Sequence, residues 1–561
     1  MIMTMPMPGK FFIICLFVFV LFFPWPGFAQ SQSKSFSSPH VPVTSRIYRD
    51  LERLTALGLI TDSIYGQRPW SRDEIARQIR EAMDKQERRG EPVVPSVGEI
   101  DADMAEDELL KRLKKDYASE LKKLDATKIG VEVDPLKWAQ LEYTLMQSPS
   151  REVRRDNGMS SIDAAIHPFT AYQGGRHFAD GSTFSLETLH EASFSRYLSF
   201  AFHPRAEALI PDFGSKGANF IVQNLYGKFA YHNFEIEVGR DSVVWGQGVH
   251  GGLLLGDNAR PLDQIKISNT SPILLPWLLR YFGPWKGSFF VSDMGPEREF
   301  PHSLLTGLKF SAKPVSFFEM GVSQAVLLGG DGAPAGSFWE EVGEFFGYRS
   351  GIGLTPNDLG AVAPPNFSNR IMGLDLRFTL EPLRNSQLYY EMATEACCGV
   401  FKQLYGYYGG FYIPLLTPSG SVDLRLEYTH LPPVFYRHSP FGSGWTLNRK
   451  LLGRETGPEG DSLAAEVNYD LNEKWRGQSS FAYDRLGGNS FRGGVDHTVV
   501  SEWHPKEERF RFLTALEYDL PYSLTLRLTT GMEFVKNFNF MSHDNQENFL
   551  ARLGLTYRAF R

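Results

Sequence analysis

Residues 549–560, a twelve-residue stretch close to Arg561, alternate along their length between two sets of side chains. One set is apolar throughout and consists of Phe549, Ala551, Leu553, Leu555, Tyr557 and Ala559. The other set includes Arg552, Thr556 and Arg558, with Phe560 as an apolar exception at its end. Alternate residues of a β-strand point to opposite sides, so one side can face hydrocarbon while the other faces water. Because roughly 9–11 residues suffice for a tilted strand to cross a bilayer, the pattern predicts a membrane-spanning strand.

The same alternation returns many times after Ile129, and the polar side often carries charges of both signs. The clearest examples are Phe234–Val238, Met372–Leu380, Val422–Thr429, Leu463–Leu471, Arg511–Leu520 and Tyr522–Thr529. Soluble sandwiches also alternate, but they seldom continue as one unit for about 430 residues. Backbone groups in lipid must all be paired, so such a sheet has to close on itself. At roughly 24 residues for each strand and its connection, we expect an all-β transmembrane barrel of about 18 antiparallel strands over residues 129–561.

The first 29 residues have the order of a secretory signal peptide. Lys10 precedes an apolar run, Phe11–Phe23, and Ala29 ends a small-x-small cleavage pattern. The run is shorter than the roughly 20 residues that a membrane-spanning helix needs. We therefore expect residues 1–29 to direct export and to be removed.

Between this leader and the strands, residues 30–128 carry helical rather than alternating periodicity. Three helices are predicted, over residues 44–58, 71–83 and about 105–124. The second begins with a capping box, since Ser71 is followed three residues later by Glu74. We predict a small α-helical periplasmic subdomain that serves as a packing or docking element.

Three connections between predicted strands are long: Ser242–Trp285, Leu328–Asn369 and Leu431–Asp461. In barrels the short turns face the periplasm and the long loops face outside, so the long connections are where function is expected. Within the second, residues 337–346 fit one apolar face of a short helix, either on the outer rim or inside the lumen. The charged inner face predicts ion pairs or a plug across the lumen at least as much as a pore.

Two blocks of sequence resemble a known family. The first runs through Ile47–Leu54, Gly58–Ile60 and Arg68–Ser71; the second comprises Gly239–Gly248, Gly252–Pro261, Asn269, Pro272, Pro276–Trp277 and Phe282–Trp285. Together they resemble the capsule-assembly Wzi family of outer-membrane proteins, and the resemblance in order and architecture covers about residues 41–561. It implies a barrel in the outer membrane of a Gram-negative cell, preceded by a periplasmic helical bundle. It also implies lectin-like attachment of capsular or another exported polysaccharide to the cell surface, without chemistry on the sugar.

Sugar recognition needs aromatic faces for stacking, amides and carboxylates for hydroxyl groups, and arginine for uronic-acid carboxylates. The candidate ligand-binding residues are Trp245, Gln247, Asp257, Asn258 and Arg260, with Trp339 and Tyr348 in the next long connection. The competing interpretation is structural, because glycine-rich turns with buried Asn and Asp also hold a loop in shape.

Other functions remain open at this point. The charged face permits a porin or substrate channel, and His438-Ser439 permits a barrel enzyme that hydrolyses lipids, although a third catalytic group is not evident. Metal-binding spacings are absent from the sequence, so we expect no metal, no cofactor and no enzyme. With a net charge of -7 we expect no nucleic-acid partner. The expected partners are outer-membrane lipid, the barrel assembly machinery and the polysaccharide, with the protein itself a monomer.

Overall fold

The structure is a computed structural model. It describes residues 36–89, 109–126, 129–154, 162–275, 277–333, 343, 345, 368–395, 405–417, 420–438, 441–487 and 505–559. In these residues, eighteen antiparallel strands form one closed barrel, and the short strand Ile273–Leu274 is added beside the seventh. The barrel strands are β1 (Val131–Gln147), β2 (Gly181–Phe194), β3 (Leu198–Pro211), β4 (Gly217–Tyr231), β5 (Phe234–Asp241), β6 (Leu262–Asn269), β7 (Pro284–Asp293), β8 (Leu304–Val315), β9 (Phe318–Leu328), β10 (Ser368–Leu380), β11 (Ser386–Glu395), β12 (Tyr405–Ile413), β13 (Val422–Leu431), β14 (Gly460–Asp470), β15 (Trp475–Leu486), β16 (Glu507–Leu520), β17 (Leu524–Lys536) and β18 (Gln546–Arg558).

The barrel closes where its last strand meets its first. β18 pairs with β1 from Trp138↔Arg558 to Gln147↔Phe549. This closure confirms the predicted fold and strand number, and it explains how a lipid-exposed sheet can pair its own backbone.

The alternation of β18 sorts its side chains as the sequence predicts. Leu553, Leu555 and Tyr557 are 47%, 37% and 41% exposed on the outer face. Arg552 points the other way, and its Nε lies 3.5 Å from Oε1 of Glu142 on β1. The apolar side therefore faces outward and the charged side lines the lumen.

The two ends of the barrel differ in the length of their connections. At the short-turn end, where β1 begins and β18 ends, lie the connections 195–197, 232–233, 270–283, 316–317, 381–385, 414–421, 471–474 and 521–523. At the loop end lie 148–180, 212–216, 242–261, 294–303, 329–367, 396–404, 432–459, 487–506 and 537–545. One local prediction is wrong: Tyr522 lies in a turn with φ +62°, and β17 begins only at Leu524.

The helices are α1 (Ile47–Ala56), α2 (Arg72–Arg89), a helical stretch over 109–116, and α3 (Ala118–Asp125). At the start of α2 the backbone N–H of Glu74 donates to Ser71 Oγ at 3.2 Å, as the capping pattern predicts. The third helix was expected to be continuous, but Tyr117, at φ −115° and ψ 23°, interrupts it. Among the described residues, none of these helices combines the length and the apolar character that crossing a membrane requires.

Candidate functional site

The N-terminal segment enters the barrel from the short-turn end and is tied to the wall by ion pairs. Glu52 on α1 accepts hydrogen bonds from Arg377 of β10 at 2.7 Å and from Arg425 of β13 at 2.6 Å. One turn earlier, Arg49 donates to Asp423 at 2.6 Å. Because Glu52 and both of its arginine partners are almost fully buried, these pairs are strong constraints on where α1 can sit.

Deeper in the lumen this segment meets a loop that folds inward from the opposite end. Gln67 and Arg68 form two antiparallel pairs with Trp245 and Val244. Arg68 also donates to the backbone carbonyl of Val249 at 2.7 Å. The inward loop, residues 242–261, and the N-terminal segment thus meet inside the lumen, which favours a plug among the alternatives that the sequence left open.

Trp245, the first candidate, is a packing residue in this arrangement. Its indole is 2% exposed and meets the ring of Phe290 edge-on at 5.4 Å. A side chain on Gly307 would overlap the indole, because the wall approaches it closely there. The structural interpretation therefore accounts for this tryptophan, whereas a stacking role needs the inward loop to move.

Gln247, the second candidate, joins charged groups of opposite sign. Its amide nitrogen donates to Glu319 at 2.9 Å and to Asp375 at 2.6 Å, while its amide oxygen accepts from Arg377 at 2.9 Å. Every one of these side chains is buried. A neutral amide can bridge such groups because it both donates and accepts, so Gln247 fixes the loop against the wall.

Asp257 and Asn258 lie at a meeting point of three loops. Asn258 accepts from the backbone N–H of Tyr172 and donates to the carbonyl of Leu451, both at 3.3 Å. The N–H of Gly174 donates to the carbonyl of Asp257 at 2.9 Å. We call this place the three-loop junction, and define it as residues 172–177, 257–260 and 446–451. It brings together segments that are up to 279 residues apart, counted from Tyr172 to Leu451.

Arg260 belongs to the junction through its backbone only. Gly175, at φ +71°, lies against that backbone, where a side chain would overlap it. The guanidinium of Arg260 instead reaches Asp263 at 3.0 Å. Of the candidates in this loop, Asp257 and Asn258 are therefore together, and the charged end of Arg260 is turned away from them.

Three basic side chains at the junction, Arg176, His177 and Lys450, were not predicted. Arg176 pairs with Glu187, a lumen-facing residue of β2. Partial burial lowers the pKa of His177, and the nearby ammonium of Lys450 lowers it further. Among the described residues no acidic group pairs with Lys450, which is only partly covered. The junction thus offers an uncompensated positive charge at the loop end of the barrel.

The junction also contains a carboxyl group that is neutral near pH 7. Burial raises the pKa of Asp257 to about 8, although Arg176 and Arg68 act in the opposite direction. A protonated carboxyl donates as well as accepts, and it leaves the charge of the neighbouring cations in place. Together these groups can hold a carboxylate and its adjoining hydroxyl groups.

The candidates Trp339, Tyr348 and Ser439 fall outside the described residues. The adjacent cysteines Cys397 and Cys398 also fall outside them. Phe345, in the segment predicted as a short helix, packs on the outer face of the barrel.

The outer-face position of Phe345 follows from two contacts. Its ring meets that of Phe289 at 6.0 Å, and its carbonyl accepts from the side chain of Gln324. His438, the candidate base of the enzyme hypothesis, is buried, and burial lowers its pKa to about 4.

A second polar cluster, near the short-turn end, is an ion network. His40 Nδ1 lies 2.6 Å from Asp241 and 3.2 Å from Glu237, close enough for the three groups to share a cation. However, Lys228 Nζ lies 2.9 Å from His40 Nε2, and Lys266 Nζ lies 3.0 Å from Glu237. These ammonium groups already supply the positive charge, so the cluster is explained without a metal ion.

Comparison with known proteins gives three findings. A family model described as "Capsule assembly protein Wzi" matches residues 156–550. An uncharacterized 55.8 kDa protein in the cps region of Klebsiella pneumoniae is 30% identical over 172 residues, which are 30% of this chain and 31% of that protein. The solved structure of Wzi from Escherichia coli, described as an outer membrane protein involved in group 1 capsule assembly and a carbohydrate-binding β-barrel, superimposes with a TM-score of 0.63. It is 19% identical, and the match covers 93% of this chain and 99% of that one.

Proposed function

Because this chain belongs to the capsule assembly protein Wzi family, we propose that it binds capsular or another exported polysaccharide and holds it at the surface of a Gram-negative cell. The observation that carries this proposal is the filled lumen. Gln67 and Trp245 pair where a channel would have to run. A barrel closed from both ends favours a surface receptor over a porin, and the E. coli relative is itself described as carbohydrate-binding.

The orientation belongs to the same proposal. Long loops of outer-membrane barrels face outside and short turns face the periplasm. Accordingly, the loop end with the three-loop junction faces the medium, and the helices of residues 30–128 lie on the periplasmic side and reach into the barrel. Residues 1–29 act as the signal peptide that brings the chain there.

The three-loop junction is the proposed polysaccharide site. Lys450 and Arg176 attract a sugar carboxylate. The hydroxyl groups are bound by Asn258, protonated Asp257 and neutral His177. Trp339 and Tyr348 remain candidates for stacking against the same chain. These contacts bind the sugar without changing a covalent bond. In this proposal the protein is therefore a lectin and not an enzyme, and it acts as a monomer.

The proposal is tested in a strain that lacks the gene. Cell-bound polysaccharide should fall and released polysaccharide should rise, and the unmodified gene should restore both. A copy with Lys450→Ala and Arg176→Gln should not restore them. Unchanged retention in the deletion strain would reject the proposal.

A second measurement separates binding from transport. Purified protein in a planar bilayer should give no steady conductance, because described side chains occupy the lumen. Steady, open channels in the unmodified protein would support the porin alternative instead.

A further inference from the structure

One stretch of the barrel wall has an open edge. β4 pairs with β3 along its length, from Leu209↔Gly217 to Leu198↔Phe229. On its other side it pairs with β5 only from Leu225↔Arg240 to Tyr231↔Phe234. Since β5 ends at Asp241 and the chain then turns into the lumen, residues 217–224 have no strand beside them among the residues that the structure describes. The open stretch is roughly 25 Å long at a rise of about 3.3 Å per residue.

Backbone groups on this edge are available to a ligand. The carbonyl of Val222 points to the open side, where Arg240 donates to it at 2.9 Å. Backbone groups in antiparallel strands alternate between the two sides, so those of Ala218 and Phe220 point to the open side as well. Lipid-exposed edges of this kind do not occur in the hydrocarbon region, because each unpaired amide there is costly. The unpaired backbone groups of this edge therefore need polar partners, and the edge must lie at the level of the lipid head groups.

The outer face beside this edge is apolar. Phe220 is opposite Ala206 in the register and is 71% exposed, and Val222 is opposite Pro204. Phe213, at the tip of the same hairpin, is 93% exposed. Toward the short-turn end the same face continues with Leu225 and Val238, each 53% exposed, and an acyl chain directed to the membrane centre would contact these two side chains.

Two arginines stand next to the edge on the same outer face. Arg240 makes two hydrogen bonds to Asp263, at 2.7 and 2.8 Å, and Arg260 reaches the same carboxylate at 3.0 Å. Arg240 lies two residues beyond Val238, which is 53% exposed to the outside, so these side chains share its face. Two guanidinium groups on one carboxylate leave a net charge of about +1, and both side chains are partly exposed.

We propose that this notch binds the head group of a phosphorylated glycolipid of the outer leaflet. The guanidinium groups and the free N–H groups of β4 donate to phosphate oxygens, and the sugar hydroxyl groups donate to the free carbonyls. The acyl chains run from there toward the short-turn end, over the exposed side chains of Leu225 and Val238. The inference uses the orientation proposed above, in which the loop end faces outward. It does not depend on polysaccharide binding, which is assigned to the lumen side.

Native mass spectrometry of the full-length protein in detergent tests this assignment, with diphosphoryl lipid A and its dephosphorylated form as probes. One diphosphoryl lipid A should bind, and the dephosphorylated form should bind at least about tenfold more weakly, as expected when charge-assisted hydrogen bonds are lost. The Arg240→Gln, Arg260→Gln double variant should show a similar loss.

A matched control exists across the barrel. Arg485 and Asp461 form the same kind of outward pair, at 2.9 Å, where β14 and β15 stay paired up to Gly460↔Leu486. Arg485→Gln should therefore leave lipid A binding unchanged. Equal binding by this control and by the double variant, or no preference for the diphosphoryl form, would overturn the proposal.

Should the double variant fail to fold, a photo-crosslinking residue at Phe220 gives an independent answer, because that side chain is exposed. A crosslink to lipid A supports the assignment. A crosslink to a second copy of the chain or to another protein overturns it, since the open edge would then pair with a strand.

Discussion

Arg425 on β13 donates to Glu52 on α1 at 2.6 Å, and so joins the N-terminal segment to a wall strand 373 residues away in the sequence. Arg377 on β10 holds the other carboxylate oxygen at 2.7 Å. The guanidinium of Arg377 also lies over the ring of Tyr65, at 4.8 Å from its centroid. One carboxylate thus binds two buried cations, and Glu52 is, with Arg49, one of the side chains that fix the position of α1.

Replacing Glu52 should therefore destabilise the whole barrel. In Glu52→Ala both arginines lose the carboxylate that accepts their hydrogen bonds, and removal of one partner of a buried pair costs roughly 3–5 kcal/mol. The expected result is a lower temperature for the heat-modified band shift in detergent. Asp125→Asn is the control, because its partner Arg80 lies at the surface and the side chain of Asp125 is 70% exposed. Equal shifts in both variants would contradict a central role for Glu52.

Adding a side chain at Gly252, where the inward loop lies close to the barrel wall, should open the lumen. Gly252 lies against the carboxylate of Glu391, which accepts from the N–H of Leu253 at 2.8 Å. A valine at Gly252 overlaps that carboxylate, and moving either group breaks the hydrogen bond that holds the loop at Leu253. We expect planar-bilayer conductance to appear in Gly252→Val and to stay absent in Gly130→Val, where nothing lies within 4 Å of an added Cβ. A silent Gly252→Val barrel that still folds would show that the loop does not gate the lumen.

The raised pKa of Asp257 predicts how stability changes with pH. Burial raises this pKa to about 8, whereas an unfolded aspartate titrates near 3.9. Between these values the native state holds a proton that the unfolded state has released, so the contribution is fully present below about pH 4 and is lost as pH rises to about 8. Asp257→Asn keeps the side chain neutral.

The variant should thus be more stable than the unmodified protein at pH 8.5, by roughly 1–3 kcal/mol, and the gain should shrink toward pH 5. Thermal unfolding across this pH range provides the measurement. Asp331→Asn, an exposed loop change, should give curves parallel to those of the unmodified protein. A stability difference that does not vary with pH would refute the prediction.

Lys450 should matter for ligand affinity more than for folding. We expect Lys450→Ala to weaken binding of a purified acidic capsular polysaccharide by about tenfold, the effect of losing one charge-assisted contact. The remaining affinity should also depend less on salt. Lys506→Ala removes an exposed lysine at the loop end outside the junction, and this variant should bind as the unmodified protein does. Surface plasmon resonance at two ionic strengths compares them, and equal affinities for both variants would remove Lys450 from the site.

Strand periodicity was sufficient to predict the barrel, because it depends only on neighbouring residues. Alternate side chains such as Arg552 and Leu553 face the lumen and the lipid in turn, whatever the distant sequence is. The Ser71 cap is local in the same sense. The pairing of Gln67 with Trp245 is not, since it joins segments 178 residues apart. A tryptophan in a glycine-rich loop has the same sequence signature whether it stacks on a sugar or fills a core, so its burial could not be read from the chain.

In the candidate site, too, one residue was predicted from the sequence and another was missed. Asn258 was found because it belongs to a family-like block, but Lys450 was missed. A signal did exist: Asn448 and Arg449, both with positive φ, form a two-residue turn between Leu447 and Lys450. That turn predicts a hairpin in the last long connection, yet only the assembled structure brings it to Asn258.

The two backbone pairs between residues 67–68 and 244–245 have a mechanical consequence. Through these pairs the N-terminal segment, which enters from the short-turn end, contacts the inward loop, which enters from the loop end. A load applied to the outer loop must either stretch these pairs or push the N-terminal helices in the same direction. If the proposed orientation and ligand hold, tension on a polymer bound at the loop end would be transmitted through these pairs to the helices at the short-turn end.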